Sequence, residues 1–273
     1  MRRIRGRKAL VTGAASGIGR AIALALAREG ADLFLLDIDT TNLAATAQEA
    51  EGRGVAAVTH ACDLAQPAEI TAAVKLLAAT WGRLDVLVNN AGLSYYGPTD
   101  LMSPELCDRI MAVNLMAPIQ LTRELMPLLK AADEAHILNV ASVFGLTTFR
   151  KGAVYQSSKF GLVGFSAALR AEYARQGIGV TTLCPGFVRT PMLQVFAVGS
   201  PEQKRHPIPG WASTTPERLA DRAIRAIRRN NAVVVVPLVA RLLWWVTRLS
   251  PALMDWLLRE GWRPIRKTKL AAE

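Results

Sequence analysis

Cysteine and histidine are scarce, three of each in 273 residues, and neither is arranged for chemistry. Cys62, Cys107 and Cys184 stand far apart, with no CxxC pair and no histidine at metal-ligand spacing. That pattern excludes a disulfide framework and a zinc centre as organising features, and the thiols read as buried groups in a reducing compartment. No metal site is expected. Long uncharged apolar runs are also missing: near the C-terminus Arg241, Arg248 and Asp255 interrupt every stretch that approaches a bilayer-spanning length. The opening residues, MRRIRGRKALVTG, are basic but lack the apolar run of a secretory signal, and a strand pattern has begun by Lys8. The expectation is a cytoplasmic protein.

Apolar residues, in contrast, make up 51% of the chain. The net charge of +11 is concentrated at the two ends. Residues 1–8 carry five bases and no acid, residues 217–273 carry twelve bases against five acids, and the stretch between is nearly neutral. No zinc finger or RNP-like aromatic motif accompanies the positive charge, so a nucleic-acid partner is not expected; a solvated basic face or an anionic membrane surface is.

Short apolar runs alternate with helical patterns: KALVTG, ADLFLLD, VAAVTHACDL, LDVLVNNAG, AHILNVAS, GVTTLCPG and AVVVVP. Near-continuous apolar strands separated by helices predict an α/β fold, a doubly wound, Rossmann-like and mostly parallel seven-stranded sheet with helices on both faces. With no repeat and no long linker before Pro237, residues 1–236 read as one domain and residues 237–273 as an amphipathic helical extension. The Gly/Pro-rich stretch at about 187–215 is the longest segment without periodicity, and reads as a substrate lid. Its Phe187, Met192, Leu193, Val195, Phe196, Ile208 and Trp211 are mostly apolar.

In VTGAASGIGRAIALALAREGADLFLLD, Gly13, Gly17 and Gly19 follow a strand and open a helix. Glycines there let the backbone turn tightly and approach a pyrophosphate, which free N–H groups at the helix N-terminus then stabilise. Ile18, Ile22 and Leu26 share one face of the helix, and Gly30 ends it. Asp37, about twenty residues past the glycines, ends the second strand, where a carboxylate accepts both ribose hydroxyls and repels a 2′-phosphate. No base neighbours it in DIDTTN, and the loop residue before Gly17 is Ser16, so NAD(H) is expected rather than NADP(H). Asp37 reads equally as a helix cap, a role for which Asp39 is the other candidate.

Ser142, at the end of the fifth strand, is followed by Tyr155 and Lys159 in VYQSSKF. The i, i+4 spacing puts phenol and ammonium on one helix face, and a nearby cation favours phenolate, so Lys159 is expected to lower the Tyr155 pKa. A tyrosine and lysine at this spacing also occur as an ordinary surface pair.

Through TGAASGIG (12–19), DL (63–64), NNAG (89–92), Asn114, Ser142, YQSSK (155–159) and PGFVRT (185–190), the chain resembles the short-chain dehydrogenase/reductase family over roughly residues 6–236. The resemblance implies a catalytic tetrad of Asn114, Ser142, Tyr155 and Lys159. In it Tyr155 is the general acid/base, Ser142 orients the substrate oxygen, Lys159 binds the nicotinamide ribose, and Asn114 holds a water leading from Lys159 to solvent. It also implies cofactor contacts at Gly13, Ser16, Gly17, Ile18, Gly19 and Asp37, at Asp63 and Leu64 by the adenine, at Asn90, Ala91 and Gly92, at Tyr155 and Lys159, and at Pro185, Gly186, Val188 and Thr190 by the carboxamide. A homodimer or homotetramer is implied as well. One departure stands out: Ala117 occupies the position where many members have glycine, and Pro118 follows it. Pro118 has no N–H for the Asn114 carbonyl, so a kink that frees this carbonyl for the relay water is expected, with a proline merely tolerated in the helix as the alternative.

Beyond Val236, the residues Val239, Leu242, Leu243, Val246 and Leu249 recur at helical spacing, and Ser250-Pro251 reads as the start of a second helix carrying Leu253, Trp256 and Leu257 and stopping near Gly261. Four of the six tryptophans lie in this region, which ends in the basic WRPIRKTK. Two placements are open: peripheral contact with an anionic membrane, or packing of the stripe on the body or on a second subunit. The expected substrate is a lipophilic alcohol or ketone, with a small soluble one as the alternative and a non-catalytic NAD(H)-binding protein as a third reading.

Overall fold

In the computed structural model, which describes residues 1, 3–190, 197–198 and 210–260, all seven predicted strands form one sheet. They are β1 (Lys8–Thr12), β2 (Asp32–Asp37), β3 (Ala57–Ala61), β4 (Val86–Asn89), β5 (Ala135–Val140), β6 (Ile178–Pro185) and β7 (Val233–Val236). The order across the sheet is β7-β6-β5-β4-β1-β2-β3, and every neighbouring pair is parallel. Strand order reverses between β1 and β4, so the loops after these two strands diverge and leave a crevice at their C-terminal ends.

The helices are α1 (Gly17–Arg28), α2 (Thr40–Glu51), α3 (Pro67–Trp81), α4 (Pro104–Met111), α5 (Ala117–Lys130), α6 (Ala153–Tyr173) and α7 (Pro216–Arg229). Alternate strand residues point to opposite faces, which divides the core in two. Ala9, Val11, Leu33, Leu35 and Val88 join α1, α2 and α7 on one face. Leu10, Phe34, Leu36 and Leu87 join α3 and α5 on the other. Helix α1 ends as its sequence predicts: Gly30 adopts φ +85°, its N–H donates to the Ala27 carbonyl, and the Ala31 N–H reaches back to Leu26. This satisfies two carbonyls the helix end would leave open. Cys62 and Cys184 are buried as expected, whereas Cys107 is half-buried.

Two expected features take a more specific form. Between α4 and α5 the chain makes a π turn over Ala112–Met116, in which the Ala117 N–H bonds the Ala112 carbonyl five residues back. The missing Pro118 donor is thus accommodated by one wider turn, a feature that commonly accompanies a kink. The C-terminal region forms α8 (Leu238–Leu249) and α9 (Pro251–Glu260) as its spacing predicts, and of the two placements left open neither takes the whole stripe, which is buried only in part. Ala240 is buried and Trp244 packs inward, while Leu242 is 57% and Leu249 76% exposed. The reason is that α8 is apolar on two faces, and only one can meet the body. Among the described residues no helix is long and apolar enough to cross a membrane. Of the expected lid, Met192, Leu193, Val195, Phe196 and Ile208 lie outside the described residues, as do Gly261 and the WRPIRKTK tail.

Candidate active site

The crevice beside β1 is built for a phosphate. Gly17 turns at φ +56°, and α1 then starts with no side-chain cap from Ser16 and no acid in its first turn, so its N–H groups and dipole face outward unneutralised. Gly19 has no room for a side chain: a Cβ there would lie 2.0 Å from the Gly13 carbonyl oxygen and 2.4 Å from Asn90 Nδ2. Asn90 explains the closeness, because its Nδ2 donates to the carbonyls of Thr12 (3.0 Å) and Gly13 (3.2 Å) and ties the β4 loop to the glycine turn. Thr12 completes the knot: its hydroxyl accepts from the backbone N–H groups of Asn90 (2.9 Å) and Ala91 (3.1 Å). Thr190 reaches the same turn from the far side, its Cγ2 3.3 Å from where a Gly17 Cβ would stand. Glycine turn, Asn90–Gly92 and Thr190 therefore converge, as the resemblance implies, and the cradle fits a dinucleotide pyrophosphate.

The two aspartates that the sequence left interchangeable separate here. Asp39 is the cap of α2, accepting from the Asn42 N–H at 3.0 Å. Asp37 instead accepts from the Ala15 N–H of the glycine turn at 2.9 Å, which holds a carboxylate at the rim of the crevice. Asp63 accepts from the Ala65 N–H (3.0 Å) and pairs with Arg109 (3.0 Å), and Leu64 is buried beside it.

Ser142, Tyr155 and Lys159 come together at the ends of β5 and α6. Ser142 hydrogen-bonds the Tyr155 hydroxyl. Lys159 Nζ donates to the Val140 carbonyl at 3.1 Å and lies 5.9 Å from the centre of the Tyr155 ring. The expected direction of the Tyr155 shift is reversed: burial raises the phenol, and the hydrogen bond with Ser142 opposes it. The lysine carries the larger consequence, since burial brings its pKa down to about 8. Desolvation penalises both charged forms and is the largest cause of each shift. Pro185 and Gly186 sit beside α8, the Gly186 N–H donating to Val236 at 2.6 Å, and Val188 is buried.

Asn114 is fully buried, and both ends of its side chain are hydrogen-bonded. Its Oδ1 accepts from the Leu93 N–H (2.7 Å), and its Nδ2 donates to the Leu93 carbonyl (2.9 Å) and to Ser158 Oγ (3.0 Å). Ser158 was not singled out in the sequence, yet it donates in turn to the Tyr155 carbonyl at 2.6 Å and so links Asn114 to the tyrosine helix. Gln156 was also missed. Its side chain accepts from the Phe149 N–H (2.7 Å) and donates to the Phe149 carbonyl (2.9 Å), fastening the segment after Ser142 to α6. Both lie inside YQSSK, so their nearness to Tyr155 was the available signal; their partners were not. An aromatic wall adjoins the site, with Phe144 5.5 Å from Phe149 and 6.1 Å from Phe187, centre to centre.

Comparison with known proteins agrees with this geometry. The model of the short chain dehydrogenase family matches residues 7–198. The chain is 36% identical over 191 residues to the D-beta-hydroxybutyrate dehydrogenase of Cupriavidus necator, covering 70% of this chain and 74% of that one. Among solved structures, a 3-ketoacyl-(acyl-carrier-protein) reductase from Brucella melitensis complexed with NADH is similar at 31% identity and TM-score 0.76, covering 85% of this chain and 97% of that one. A metagenomic short-chain oxidoreductase in complex with NADP is similar at 33% identity and TM-score 0.71, covering 85% and 96%. Relatives of this fold thus bind either nicotinamide cofactor. The chain belongs to the short-chain dehydrogenase/reductase family, oxidoreductases of CH–OH and C=O groups.

Proposed function

We propose that this protein is an NAD(H)-dependent oxidoreductase of a secondary alcohol or ketone, and that its substrate is lipophilic: a long-chain, isoprenoid or steroid-like compound. The observation that carries the reading is the convergence of Ser142, Tyr155 and Lys159 beside a phosphate cradle rimmed by Asp37. NAD(H) supplies the hydride chemistry when bound. Tyr155, held protonated by burial, donates its proton to the substrate oxygen in reduction and recovers it in oxidation. Ser142 donates a hydrogen bond that orients the same oxygen. Lys159 offers its ammonium to the nicotinamide ribose, and the Asn114 carbonyl holds the water that returns a proton from solvent. Gly13, Ser16, Gly17, Ile18 and Gly19 hold the pyrophosphate; Asp37 takes the adenosine ribose, Asp63 and Leu64 the adenine, Asn90 to Gly92 the middle of the cofactor, and Pro185, Gly186, Val188 and Thr190 the carboxamide.

A lipophilic substrate is supported by the Phe144, Phe149 and Phe187 wall, and peripheral contact with an anionic membrane by the exposed apolar residues of α8 and α9 together with the exposed Arg241 and Arg248 of α8. The proposed setting is the cytoplasmic side of such a membrane, with the protein as a homodimer or homotetramer. The hydroxybutyrate dehydrogenase relative favours a second reading, a small soluble substrate with the helices serving oligomer packing. NADH oxidation across ketones graded from water-soluble to long-chain and steroidal, with Tyr155→Phe as the blank, separates the two. Turnover rising with chain length and abolished in the variant supports the first reading; turnover confined to small ketones supports the second. Tight NADH binding without turnover on any ketone overturns both.

A further inference from the structure

Helix α8 touches the wall of the site with one face and turns an apolar stripe outward with the other. Inward, Ala240 Cβ lies 3.1 Å from where a Gly186 Cβ would stand, and Trp244 packs on the cluster of Ala141, Val143 and Cys184 together with Phe144. Thr247 Oγ1 is 2.6 Å from Thr147 Oγ1. Helix α9 reaches the same segment, where Arg150 donates to the Leu258 carbonyl. That segment joins Ser142 to the helix of Tyr155, and Gln156 pins it at Phe149, Lys151 and Gly152. The C-terminal helices therefore hold the substrate side of the site in place.

The outward face has a different composition. Leu238, Leu242, Trp245 and Leu249 follow one another at i, i+4, i+7 and i+11, a single stripe along α8, and all four are exposed. Leu253, Trp256 and Leu257 extend the apolar surface onto α9. Arg241 and Arg248 are exposed on α8, and the sequence beyond α9 adds Arg263, Arg266, Lys267 and Lys269 against Glu273 alone. A second copy docked on this stripe would bring the same bases against these, a like-charge arrangement. An anionic bilayer complements both parts, because tryptophan settles at headgroup depth and each base adds attraction to the surface.

We infer that α8 and α9 form a delivery port: a lipophilic ketone or alcohol passes from an anionic bilayer along α8 to the Phe144, Phe149 and Phe187 wall without crossing bulk water. The inference rests on the membrane contact proposed above. Its physical basis is distance, since a single helix, about 10 Å across with its side chains, separates the stripe from the residues that line the site.

The test compares the wild type with Leu242→Gln/Trp245→Gln/Leu249→Gln, which alters only exposed positions. Sedimentation with vesicles of phosphatidylglycerol and phosphatidylcholine, and with phosphatidylcholine alone, reads attachment. Reduction of a small ketone in buffer checks that the variant is folded and active, and reduction of the best long-chain ketone of the graded panel, carried in the anionic vesicles, reads delivery. The expected result is a wild type that sediments with anionic vesicles only, and a variant with unchanged small-ketone turnover but kcat/KM for the vesicle-borne ketone lower by about tenfold or more, as loss of a favoured access route requires. A wild type that stays in the supernatant overturns the membrane contact and the port with it. A wild type that sediments, yet reduces the vesicle-borne ketone no faster than the variant, leaves the contact as attachment and overturns the port alone. A panel with turnover confined to small ketones overturns the substrate reading on which both rest.

Discussion

Replacing Lys159 by methionine is expected to abolish turnover and to make the protein more stable at neutral pH. Lys159 is 4% exposed, and burial lowers its pKa from 10.5 to about 8. At one pKa unit per 1.36 kcal/mol, keeping the ammonium charged in the fold costs about 3 kcal/mol at pH 7. The charge-assisted bond to the Val140 carbonyl returns about 2 kcal/mol, so methionine, with similar reach and no charge, should stabilise by about 1 kcal/mol at pH 7. The sign of the pH dependence follows from the depressed pKa. The neutral lysine suits the fold, so its penalty is absent above the unfolded pKa of 10.5 and fully present below about 8. Between pH 7 and pH 9.5 the balance should therefore move toward the wild type by about 2 kcal/mol. Urea unfolding of both proteins at the two pH values measures it. A variant less stable than the wild type at pH 7, or a difference that does not change with pH, would refute the idea that this ammonium is held against a desolvation cost for the sake of catalysis.

Other residues give narrower expectations. Asp37→Ala combined with Ile38→Arg, the latter at an exposed position, should move cofactor preference toward NADP(H) by about tenfold or more in kcat/KM, since it removes a like charge and adds a bidentate phosphate partner; unchanged selectivity in a paired NADH and NADPH assay would count against Asp37 as the discriminator. Ser158→Ala leaves the buried Asn114 amide short of an acceptor, a penalty of about 1–3 kcal/mol. It should lower kcat with little change in KM, and Ser158→Thr should recover part of the loss; equal KM and kcat effects, or no rescue, would mean the hydroxyl acts only in packing. His136 is fully buried with its pKa lowered to about 3, so its contribution to stability is complete above 6.5 and is lost as pH falls from 6.5 toward 3. His136→Leu should flatten the pH dependence of urea midpoints across that window, and an unaltered slope would assign acid sensitivity elsewhere.

What the sequence made legible was local. The glycine turn, the strand–helix alternation and the Tyr155–Lys159 spacing each depend on residues close along the chain, and the structure places them together as read. Thr12, Ser158 and Gln156 escaped notice because their roles are set by partners on other segments, Asn90, Asn114 and Phe149, which no spacing rule connects. The same holds for Asp37 and Asp39, two residues apart and alike in chemistry, distinguished only by whether the glycine turn or α2 donates to them. For Tyr155 the sign was misjudged because a nearby cation can be seen in a sequence and desolvation cannot.

Helix α8 was legible as a helix, but its orientation was left open, for a reason that carries its own meaning. A helix that buries one face shows one apolar stripe, and periodicity then says which way it points. In α8, Ala240, Trp244 and Thr247 make one face and Leu238, Leu242, Trp245 and Leu249 another, so the period fits either orientation. Leaving the larger stripe in water forfeits about 25 cal/mol for each Å² of apolar surface that could have been buried. Reversing the helix would bury that stripe but take Trp244 from the cluster of Ala141, Val143 and Cys184 and Thr247 from Thr147, the packing that holds the wall beside Ser142. The observed orientation thus keeps the site intact and leaves an apolar, base-flanked surface that is stabilised only when something of opposite charge and similar polarity covers it.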